Sequence, residues 1–216
     1  MAIFLDSADV ADAECARQLG FVAGVTTNPK LLAGANPLAR IPELLDAIPD
    51  VPVCCQLTEL DDAKAFLAQG EALHALDPER VVIKVPTRTE TLNLACQLIE
   101  RGIPCAMTTI FSPEQALIAG EIGAAWVIPY VDRTTRLGGD GLELVSEMRR
   151  ILDAIGARTR VMAGSIKSAA GVARIVEAGA HDVTASLDVV KELGNHEWSE
   201  ASIADFAEAA QSGASK

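Results

Sequence analysis

The sequence predicts an α/β protein, a single (β/α)8 TIM barrel followed by one additional C-terminal helix. Short apolar or β-branched runs alternate along the chain with stretches of helical spacing, which is the pattern of repeated βα units on a parallel sheet. Runs such as Val81–Ile83 and Trp126–Ile128 are apolar on both pleat faces, as expected for strands covered on both sides. Eight such units favour a closed barrel, with an open sheet as the alternative.

The strands and the helix boundaries follow from apolar runs, capping residues and glycines. The predicted strands are Ala2–Leu5, Phe21–Val25, Val51–Gln56, Arg80–Val85, Ile103–Thr108, Ala125–Val131, Thr159–Ala163 and His181–Ala185. The predicted helix starts are Ser7 before Ala8–Leu19, Thr58 before Glu59–Leu76, and Ser112 with Pro113 in the first turn. The predicted helix stops are Gly20, Gly102, Gly123 and Gly179.

The end of the chain continues beyond the eighth predicted strand. Ile203, Phe206, Ala207 and Ala210 stand at i, i+3, i+4 and i+7, the spacing of an amphipathic helix. The length of 216 residues suits one domain, so we place the barrel at residues 1–196 and a helical tail at residues 197–216. The apolar face of the tail needs a surface to cover, and we expect a neighbouring subunit to provide it.

Composition restricts the function classes. Half of the residues are hydrophobic and 22% are charged, and no apolar run approaches the ~18 residues of a membrane span. The first residues lack the basic and apolar regions of a secretion signal, so we expect a cytoplasmic protein without membrane contact. The net charge of −12 disfavours nucleic acid over most of the surface, while a local basic pocket for a small phosphate ester stays compatible with it.

The cysteines and histidines do not indicate a metal site. The five cysteines are odd in number and form no CxxC pair, which favours reduced thiols in the core. The histidines His74, His181 and His196 lack the i, i+3 or i+4 partners of helical metal ligands. We therefore expect no metal.

Polar residues close seven consecutive predicted strands. In a barrel of this kind, catalytic groups lie at the carboxyl ends of the strands and in the loops that follow, so these residues meet at one mouth. They are Asp6, Thr26 to Asn28, Gln56, Lys84, Thr108 and Thr109, Tyr130 to Arg133, and Ser165 to Lys167.

Lys84 is the most informative of these residues. It places one ammonium group inside the otherwise apolar run Arg80–Pro86, on a sheet buried on both sides. Burial disfavours a charged amine, and a neutral amine can attack a ketone to form an imine that serves as an electron sink for carbon–carbon cleavage. The alternative is a lysine whose stem is buried while its head reaches solvent or a carboxylate.

The other polar residues each have a structural alternative. Asp6 suits the cap or first turn of the following helix, and Thr26–Asn28 before Pro29 suit a capping loop. Arg133 and Lys167 offer a phosphate clamp, although loop cations are usually only solvated. Their convergence on one mouth favours function more than any single residue does. Gln56 and Thr108 could equally be ordinary polar residues that close strands, and Tyr130 could equally be a core aromatic residue with a solvated hydroxyl.

Taken together, these residues resemble the transaldolase family, and particularly its short fructose-6-phosphate aldolase branch. The resemblance extends through nearly the whole chain and implies a (β/α)8 barrel, a Schiff base on Lys84, and neither metal nor organic cofactor. The segments that carry it are Phe4–Asp6, Gly24–Pro29, Val82–Pro86, Pro129–Arg133 and Gly164–Lys167.

The resemblance also implies a role for each matched position. Asp6 would assist proton transfer at the C4 hydroxyl during cleavage. Gln56 and Thr108 would position a water that shuttles protons during imine formation and hydrolysis, with Tyr130 beside that water. Asn28 and Ser165 would hold the hydroxyls of the three-carbon donor unit, and Thr26 is a further implied substrate-binding residue. Arg133 and Lys167 would take the phosphate of the acceptor aldehyde.

Three positions distinguish two activities within the family. Transaldolases resemble one another in having Glu where this chain has Gln56, and usually Phe where it has Tyr130. A Tyr hydroxyl can help activate water for imine hydrolysis, which favours release of free dihydroxyacetone. Transaldolases also usually have Asn where this chain has Ala106, and loss of that amide implies tolerance of hydroxyacetone-like donors.

The sequence therefore predicts a class I aldolase that reversibly cleaves fructose 6-phosphate, or a similar ketose phosphate, to dihydroxyacetone and glyceraldehyde 3-phosphate. The alternative is a transaldolase of the pentose phosphate pathway that transfers a dihydroxyacetone unit between sugars. A remote alternative is a non-catalytic phosphate-binding barrel. The expected partners are sugar phosphates, hydroxyketones and further copies of the chain, and the resemblance implies a homo-oligomer, a ring-built decamer.

Overall fold

A closed eight-stranded parallel barrel forms the centre of the protein, in a computed structural model that describes residues 1–213. Each strand pairs with its sequence neighbours, and β8 returns to β1. The strands are β1 Ala2–Asp6, β2 Val22–Thr26, β3 Val53–Gln56, β4 Val81–Pro86, β5 Cys105–Ile110, β6 Trp126–Pro129, β7 Arg160–Ala163 and β8 Asp182–Ala185. The predicted fold is confirmed, and every predicted strand overlaps an observed one.

Helices between the strands cover the outside of the barrel. They are α1 Val10–Leu19, α2 Pro29–Leu32, α3 Pro37–Ala47, α4 Ala63–His74, α5 Thr89–Glu100, α6 Pro113–Glu121, α7 Val131–Arg136, α8 Gly141–Ala154, α9 Ala169–Glu177, α10 Leu187–Glu192 and α11 Glu197–Gly213. The end of the predicted sixth strand was wrong, because Val131 begins α7 instead of extending β6.

Two predicted helix starts were wrong because an acidic residue further along the chain caps the helix. Asp9 caps α1 by accepting the Ala11 N–H, whereas the Ser7 hydroxyl donates to Asp12. The segment after Thr58 stays outside a helix until Asp62 caps α4. The start at Ser112 is confirmed, with Pro113 in the first turn of α6.

The predicted glycine stops are confirmed. Gly20 has a φ of 77° and donates its N–H to the Arg17 carbonyl, which ends α1 in the left-handed conformation that glycine adopts at low cost. The stops after α5, α6 and α9 also have positive φ values, at Gly102, Gly123 and Gly179.

A small apolar core fills the inside of the barrel. Its buried side chains are Phe4, Cys54, Val82, Ala106, Ile128 and Met162. Phe4 packs edge-on against Trp126 with ring centroids 5.8 Å apart. Gly24 makes room for the Phe4 ring, because a Cβ at this position would lie 2.1 Å from the ring edge. This plug separates two polar clusters, one at each end of the barrel.

The amino-terminal end of the barrel is closed by a buried carboxylate. Asp182 is 1% exposed and accepts hydrogen bonds from the backbone N–H of Ala2, from Trp126 Nε1 and from the Arg160 guanidinium, at distances between 2.7 and 2.9 Å. Burial by itself would raise the pKa of Asp182, but the Arg160 and Trp126 hydrogen bonds and the Arg160 charge outweigh it and hold that pKa below its usual value. We call these groups the lower cluster.

The C-terminal helix α11 extends the chain beyond the barrel, which confirms the predicted tail helix. Its large apolar side chains are exposed: Trp198 by 73%, Ile203 by 59% and Phe206 by 74%. The last predicted tail residues, 214–216, lie outside the described residues. Within residues 1–213, no helix has both the length and the apolar character needed to cross a membrane.

Candidate active site

The carboxyl ends of all eight strands surround a polar cavity of about 420 Å³, which we call the mouth. This is the end of a (β/α)8 barrel at which catalytic residues are found. The residues that line it are Asp6, Asn28, Pro29, Lys30, Leu31, Gln56, Lys84, Thr109, Tyr130, Arg133, Gly164, Ser165, Lys167 and Thr184. Eight of the ten residues predicted for the site therefore line one cavity, and Thr26 and Thr108 lie behind its wall.

Lys84 lies at the base of the mouth and is 3% exposed. Its Nζ donates a hydrogen bond to the Thr27 carbonyl oxygen at 3.0 Å, and it forms no ion pair within the described residues. The Thr27 N–H and hydroxyl both donate to the Cys54 carbonyl, at 2.9 and 3.0 Å. Thr27, whose carbonyl accepts the Lys84 hydrogen bond, is therefore fixed to strand β3, and the amine is held toward the cavity.

Asp6 is oriented by a chain of two threonine hydroxyls. Thr26 donates to an Asp6 carboxylate oxygen at 2.8 Å, and the Thr26 and Thr184 hydroxyl oxygens are 2.7 Å apart. Since the Thr26 proton is engaged by Asp6, Thr184 must be the donor in the second hydrogen bond. Thr26 is fully buried, so the structure places it as a support for Asp6 instead of in contact with the cavity.

Gln56, Thr108 and Tyr130 form a group around Lys84. Gln56 is paired with Lys84 across the β3–β4 register, and its Oε1 is buried without a hydrogen-bond partner in the described chain. The Thr108 hydroxyl donates to the Tyr130 hydroxyl at 3.2 Å. Buried acceptors normally have a donor, so Gln56 Oε1 has unused capacity facing the site. Lys84 is paired on its other side with Ala106, where no side-chain amide is available.

Asn28 and Ser165 line the walls on either side of Asp6. Asn28 Oδ1 accepts the Lys30 and Leu31 N–H groups at 3.0 and 3.1 Å, which begins α2. The side-chain NH2 of Asn28 is not used in this cap and can donate to a substrate hydroxyl. Ser165 has a φ of 58°, a left-handed conformation that is strained for a residue with a Cβ and that recurs at functional sites.

Besides Lys84, three basic side chains line the mouth: Lys30, Arg133 and Lys167. Arg133 lies over the Tyr130 ring, with its Cζ 4.6 Å from the ring centroid. Within the described residues none of the three forms an ion pair, and Asp6 is the one carboxylate in the lining. In a chain of net charge −12 this is a local excess of positive charge, which suits an anionic ligand.

The sequence did not single out Thr184 or Lys30. Thr184 follows Asp182 by two residues on β8, so strand alternation could have placed it on the same inner face. Lys30 follows Pro29 in the short helix α2, and nothing in its sequence pattern separates it from a solvated lysine. A second cavity of about 380 Å³ adjoins the mouth between α7, α8 and α9, and it shares Ser165 and Lys167 with it.

The predicted core thiols are confirmed for Cys54, Cys55 and Cys105, which are buried and free. Burial raises the pKa of Cys54 to about 12, although the nearby Lys84 charge opposes the rise. It raises the pKa of Cys55 to about 11 and that of Cys105 to about 12. Thiols held in this protonated form are inert, and no cysteine is among the described residues that line the mouth.

The fold and the mouth define a class: a (β/α)8-barrel protein with a buried lysine among acid, amide and hydroxyl groups at the carboxyl ends of the strands. The chain belongs to the transaldolase/fructose-6-phosphate aldolase family, whose model matches residues 3–215. Its membership makes it an enzyme of aldolase or transaldolase type that acts on sugar phosphates, and it confirms the predicted family.

Relatives match over nearly the full length. A probable transaldolase of Shouchella clausii is 34% identical over 208 residues, covering 95% of each chain. A probable transaldolase of Geotalea uraniireducens is 35% identical over 209 residues, covering 96% of this chain and 97% of that protein.

Solved structures are similar in fold alone. A mutant flavocytochrome b2 with pyruvate bound has a TM-score of 0.62 at 14% identity, and a mandelate oxidase mutant has a TM-score of 0.60 at 17% identity. Each match covers 87% of this chain, which spans 56% and 64% of those two chains.

Proposed function

We propose that this protein is a class I aldolase that reversibly cleaves fructose 6-phosphate, or a similar ketose phosphate, into dihydroxyacetone or a related ketone donor and glyceraldehyde 3-phosphate. The observation that carries the proposal is Lys84, a buried amine whose hydrogen bond goes to the Thr27 carbonyl and not to a carboxylate. An amine in such a site, with proton-transfer groups around it, is the arrangement of an imine-forming nucleophile.

In the first step the neutral Lys84 amine attacks the C2 carbonyl carbon of the ketose. The carbinolamine loses its hydroxyl as water, which leaves a protonated imine on Nζ. The proton that accompanies the departing water comes through the Thr108–Tyr130 hydroxyl pair and a water held by Gln56 Oε1. The imine nitrogen is positively charged and withdraws electrons from the neighbouring carbon.

In the second step the C3–C4 bond breaks and its electron pair moves to the imine, giving an enamine on Lys84. The proton of the C4 hydroxyl passes to the Asp6 carboxylate, which the Thr26 hydroxyl holds in place. Glyceraldehyde 3-phosphate leaves as the aldehyde. Protonation of the enamine at C3 and attack of water on the imine then release dihydroxyacetone and the free amine, so that the water lost at the start is regained.

The substrate is held at both ends in this proposal. The NH2 group of Asn28 and the hydroxyl of Ser165 bind hydroxyls of the three-carbon donor unit. Arg133 and Lys167 bind the phosphate of the acceptor aldehyde, because an unpaired guanidinium and an ammonium on adjacent strand ends suit a dianion. The residues require neither a metal nor an organic cofactor for these steps.

The alternative function is transfer of the dihydroxyacetone unit to a second sugar, and the names of the relatives favour it. Gln56 and Tyr130 favour release instead. The side chain of Gln56 is neutral, and the Tyr130 hydroxyl is within hydrogen-bond distance of Thr108, so both can position water for imine hydrolysis before an acceptor arrives. A non-catalytic phosphate-binding barrel stays the remote alternative.

The test is a coupled assay for glyceraldehyde 3-phosphate with fructose 6-phosphate as the sole sugar, repeated with erythrose 4-phosphate added. We expect continuous product formation without the acceptor. Fast transfer with negligible release would instead make the protein a transaldolase. The variant Lys84→Met serves as the blank in both assays, and activity in that variant would refute the imine mechanism.

We further propose that the protein works in the cytoplasm as a homo-oligomer, a decamer by family resemblance. The support is the exposed apolar stripe of α11, with Trp198, Ile203 and Phe206, which a second copy of the chain would cover. Light scattering gives the molar mass of the intact protein and of a chain ending near His196, and so tests whether α11 holds the oligomer together. A monomeric intact protein would refute it.

A further inference from the structure

Thr184 lines the mouth without taking part directly in the proposed reaction. It is on β8, and its hydroxyl oxygen lies 2.7 Å from that of Thr26 on β2, while β1, which carries Asp6, lies between these two strands. The Thr184 methyl group faces Gly164, where an added Cβ would lie 3.6 Å from it. Contacts on two sides therefore fix the direction of this side chain, with the hydroxyl toward Thr26.

The Asp6 carboxylate depends on a single donor. In the part of the chain that the structure describes, it accepts one hydrogen bond, from the Thr26 hydroxyl at 2.8 Å, and it forms no ion pair. An ionised carboxylate is an acceptor only, so a donor is needed to hold it in one direction. The direction of Asp6 therefore depends on where Thr26 points its one proton.

The Thr26 proton has two oxygens within hydrogen-bond distance, one on Asp6 and one on Thr184. Thr26 is fully buried and Thr184 is 3% exposed. When Thr184 donates along the contact between the two hydroxyls, the Thr26 proton is left for Asp6. Accepting a hydrogen bond also polarises a hydroxyl and strengthens the bond that it donates. Thr184 can thus act on Asp6 without touching it.

We propose that Thr184 is a positioning residue for cleavage of the C3–C4 bond: by donating to Thr26, it commits the Thr26 proton to Asp6 and holds that carboxylate in place to accept the proton of the C4 hydroxyl. This inference rests on the proposed function, in which Asp6 takes that proton. The cleavage step is unchanged. The C3–C4 electron pair enters the imine, the C4–O bond becomes a carbonyl, and both threonines keep their own protons.

Thr184→Val tests the proposal, because it replaces the hydroxyl by a methyl group in a side chain of similar shape. We expect kcat for glyceraldehyde 3-phosphate release from fructose 6-phosphate to fall about tenfold, the effect of one hydrogen bond to a charged group, with KM within about twofold of the wild type. Trapping of the dihydroxyacetone imine by borohydride should keep its rate, since Asp6 acts after imine formation. Thr184→Ser retains the hydroxyl and should restore most of kcat.

Two further variants show whether Thr184 acts through Thr26 and not through general loss of a buried hydroxyl. Adding Thr184→Val to Thr26→Val should lower kcat by less than about twofold beyond the single change, because residues that share one chain of contacts are not additive. Thr159→Val is the matched control. Thr159 is also 3% exposed, and its hydroxyl donates to the Ala124 carbonyl at 2.6 Å outside the mouth, so kcat of the folded protein should not change.

The other outcomes overturn the role of Thr184. A higher KM with unchanged kcat would mean that Thr184 binds the substrate directly. Equal losses in cleavage and in imine trapping would mean that the substitution disturbs the whole mouth. Additive losses with Thr26→Val, or no recovery in Thr184→Ser, would mean that Thr184 does not act by donating to Thr26.

The wild-type assays distinguish failure of this inference from failure of the proposed function. If the wild type transfers the donor unit without releasing it, transfer to erythrose 4-phosphate includes the same cleavage step, and the same comparisons apply. If it does neither, the proposed function fails, and so does the cleavage role. Urea unfolding then tests the remaining link: the midpoint shifts of Thr184→Val and Asp6→Ala should be non-additive, and additive once Thr26→Val is present. Additive shifts in both backgrounds would overturn the link as well.

Discussion

Polar side chains meet at both ends of the barrel interior, and the two ends treat them differently. In the lower cluster each carboxylate oxygen of Asp182 accepts two hydrogen bonds, and Arg160 is the counter-ion of this buried carboxylate. At the mouth, Lys84 has a carbonyl as its acceptor, and Gln56 Oε1 has no partner within the described chain. Satisfied groups stabilise the fold, whereas unsatisfied groups at a cavity are available to a ligand.

The apolar plug explains why the two clusters can differ. Phe4, Met162 and their neighbours lie between them, and within residues 1–213 no hydrogen bond joins the lower cluster to the mouth. A change at one end should therefore alter either stability or activity with little effect on the other, since sites without shared partners behave additively. The following predictions test this separation.

The largest effect is expected for Lys84→Met. Removing the proposed nucleophile should lower kcat by at least about 10³-fold, because no other amine occupies the base of the mouth among the described residues. Unfolding in urea should show equal or greater stability, since methionine fills the same space and removes a buried polar group. A variant that loses stability and activity together would contradict the separation of the two ends.

The identity of the imine-forming residue can be tested directly in the wild-type protein. Incubation with dihydroxyacetone and borohydride should give one reduced adduct, mapped by mass to the peptide that contains Lys84. The matched measurement on Lys84→Met should give none. An adduct on Lys30 or Lys167, which also line the mouth, would assign the nucleophile elsewhere.

The second-largest effect is expected for a change in the lower cluster, and it is a loss of stability. Asp182→Asn places an amide nitrogen against the donors of Trp126 and Arg160 and leaves the guanidinium without its counter-ion. We expect the free energy of unfolding to fall by about 2 kcal/mol, the lower part of the range for broken buried pairs because the Arg160 side chain is 42% exposed. Urea denaturation measures this loss, and kcat of the folded fraction should stay within about twofold.

An exposed pair supplies the control for that measurement. Arg149 and Asp153 form an i, i+4 ion pair on α8 with side-chain exposures of 38% and 59%. Asp153→Asn should cost at most about 0.5 kcal/mol, as expected for solvated helix pairs. Equal losses in the two variants would show that burial of Asp182 is not what makes the lower cluster stabilising.

The pH dependence of stability should report the same residue. The pKa of Asp182 is lower in the folded protein than the ordinary aspartate value, so its ionised form stabilises the fold. That contribution is fully present above the ordinary value near ~3.9 and is lost as the pH falls through the lower folded value. Denaturation series between pH 5 and 2 should therefore be flatter for Asp182→Asn than for the wild type, and parallel curves would contradict this assignment.

How much the sequence could predict also differs between the two ends. Lys84 was identifiable because a single charge interrupts an apolar strand, and its neighbours were found because they end consecutive strands. Asp182 and Arg160 were included in predicted strands without a role. Their pairing depends on the barrel register between β7 and β8, which local patterns do not encode.

Residues in the connections after the strands were harder to predict than residues in the strands. Asp9 and Asp62 cap the two helices for which Ser7 and Thr58 were predicted as caps. Each loop contains several residues that can cap a helix, and only packing selects among them. Thr26 was predicted among the substrate-binding residues, whereas the structure buries it behind the wall, where its hydroxyl donates to Asp6.

The smallest effect concerns the fate of the enamine at the mouth. Tyr130→Phe removes the hydroxyl that accepts from Thr108 while leaving the ring under Arg133, so binding should change little. Loss of a positioned proton carrier should slow imine hydrolysis, and we expect the ratio of release to transfer to fall by roughly tenfold or less.

Gln56→Glu should shift the ratio in the same direction, because the added carboxylate next to Lys84 in the sheet introduces a charge that favours the transfer cycle. Parallel assays with and without erythrose 4-phosphate give the ratio for each variant, and Asp182→Asn, which alters only the lower cluster, is the control. If Tyr130→Phe lowers release and transfer equally, Tyr130 contributes to a step that both reactions share, and the choice between them is made by other residues of the mouth.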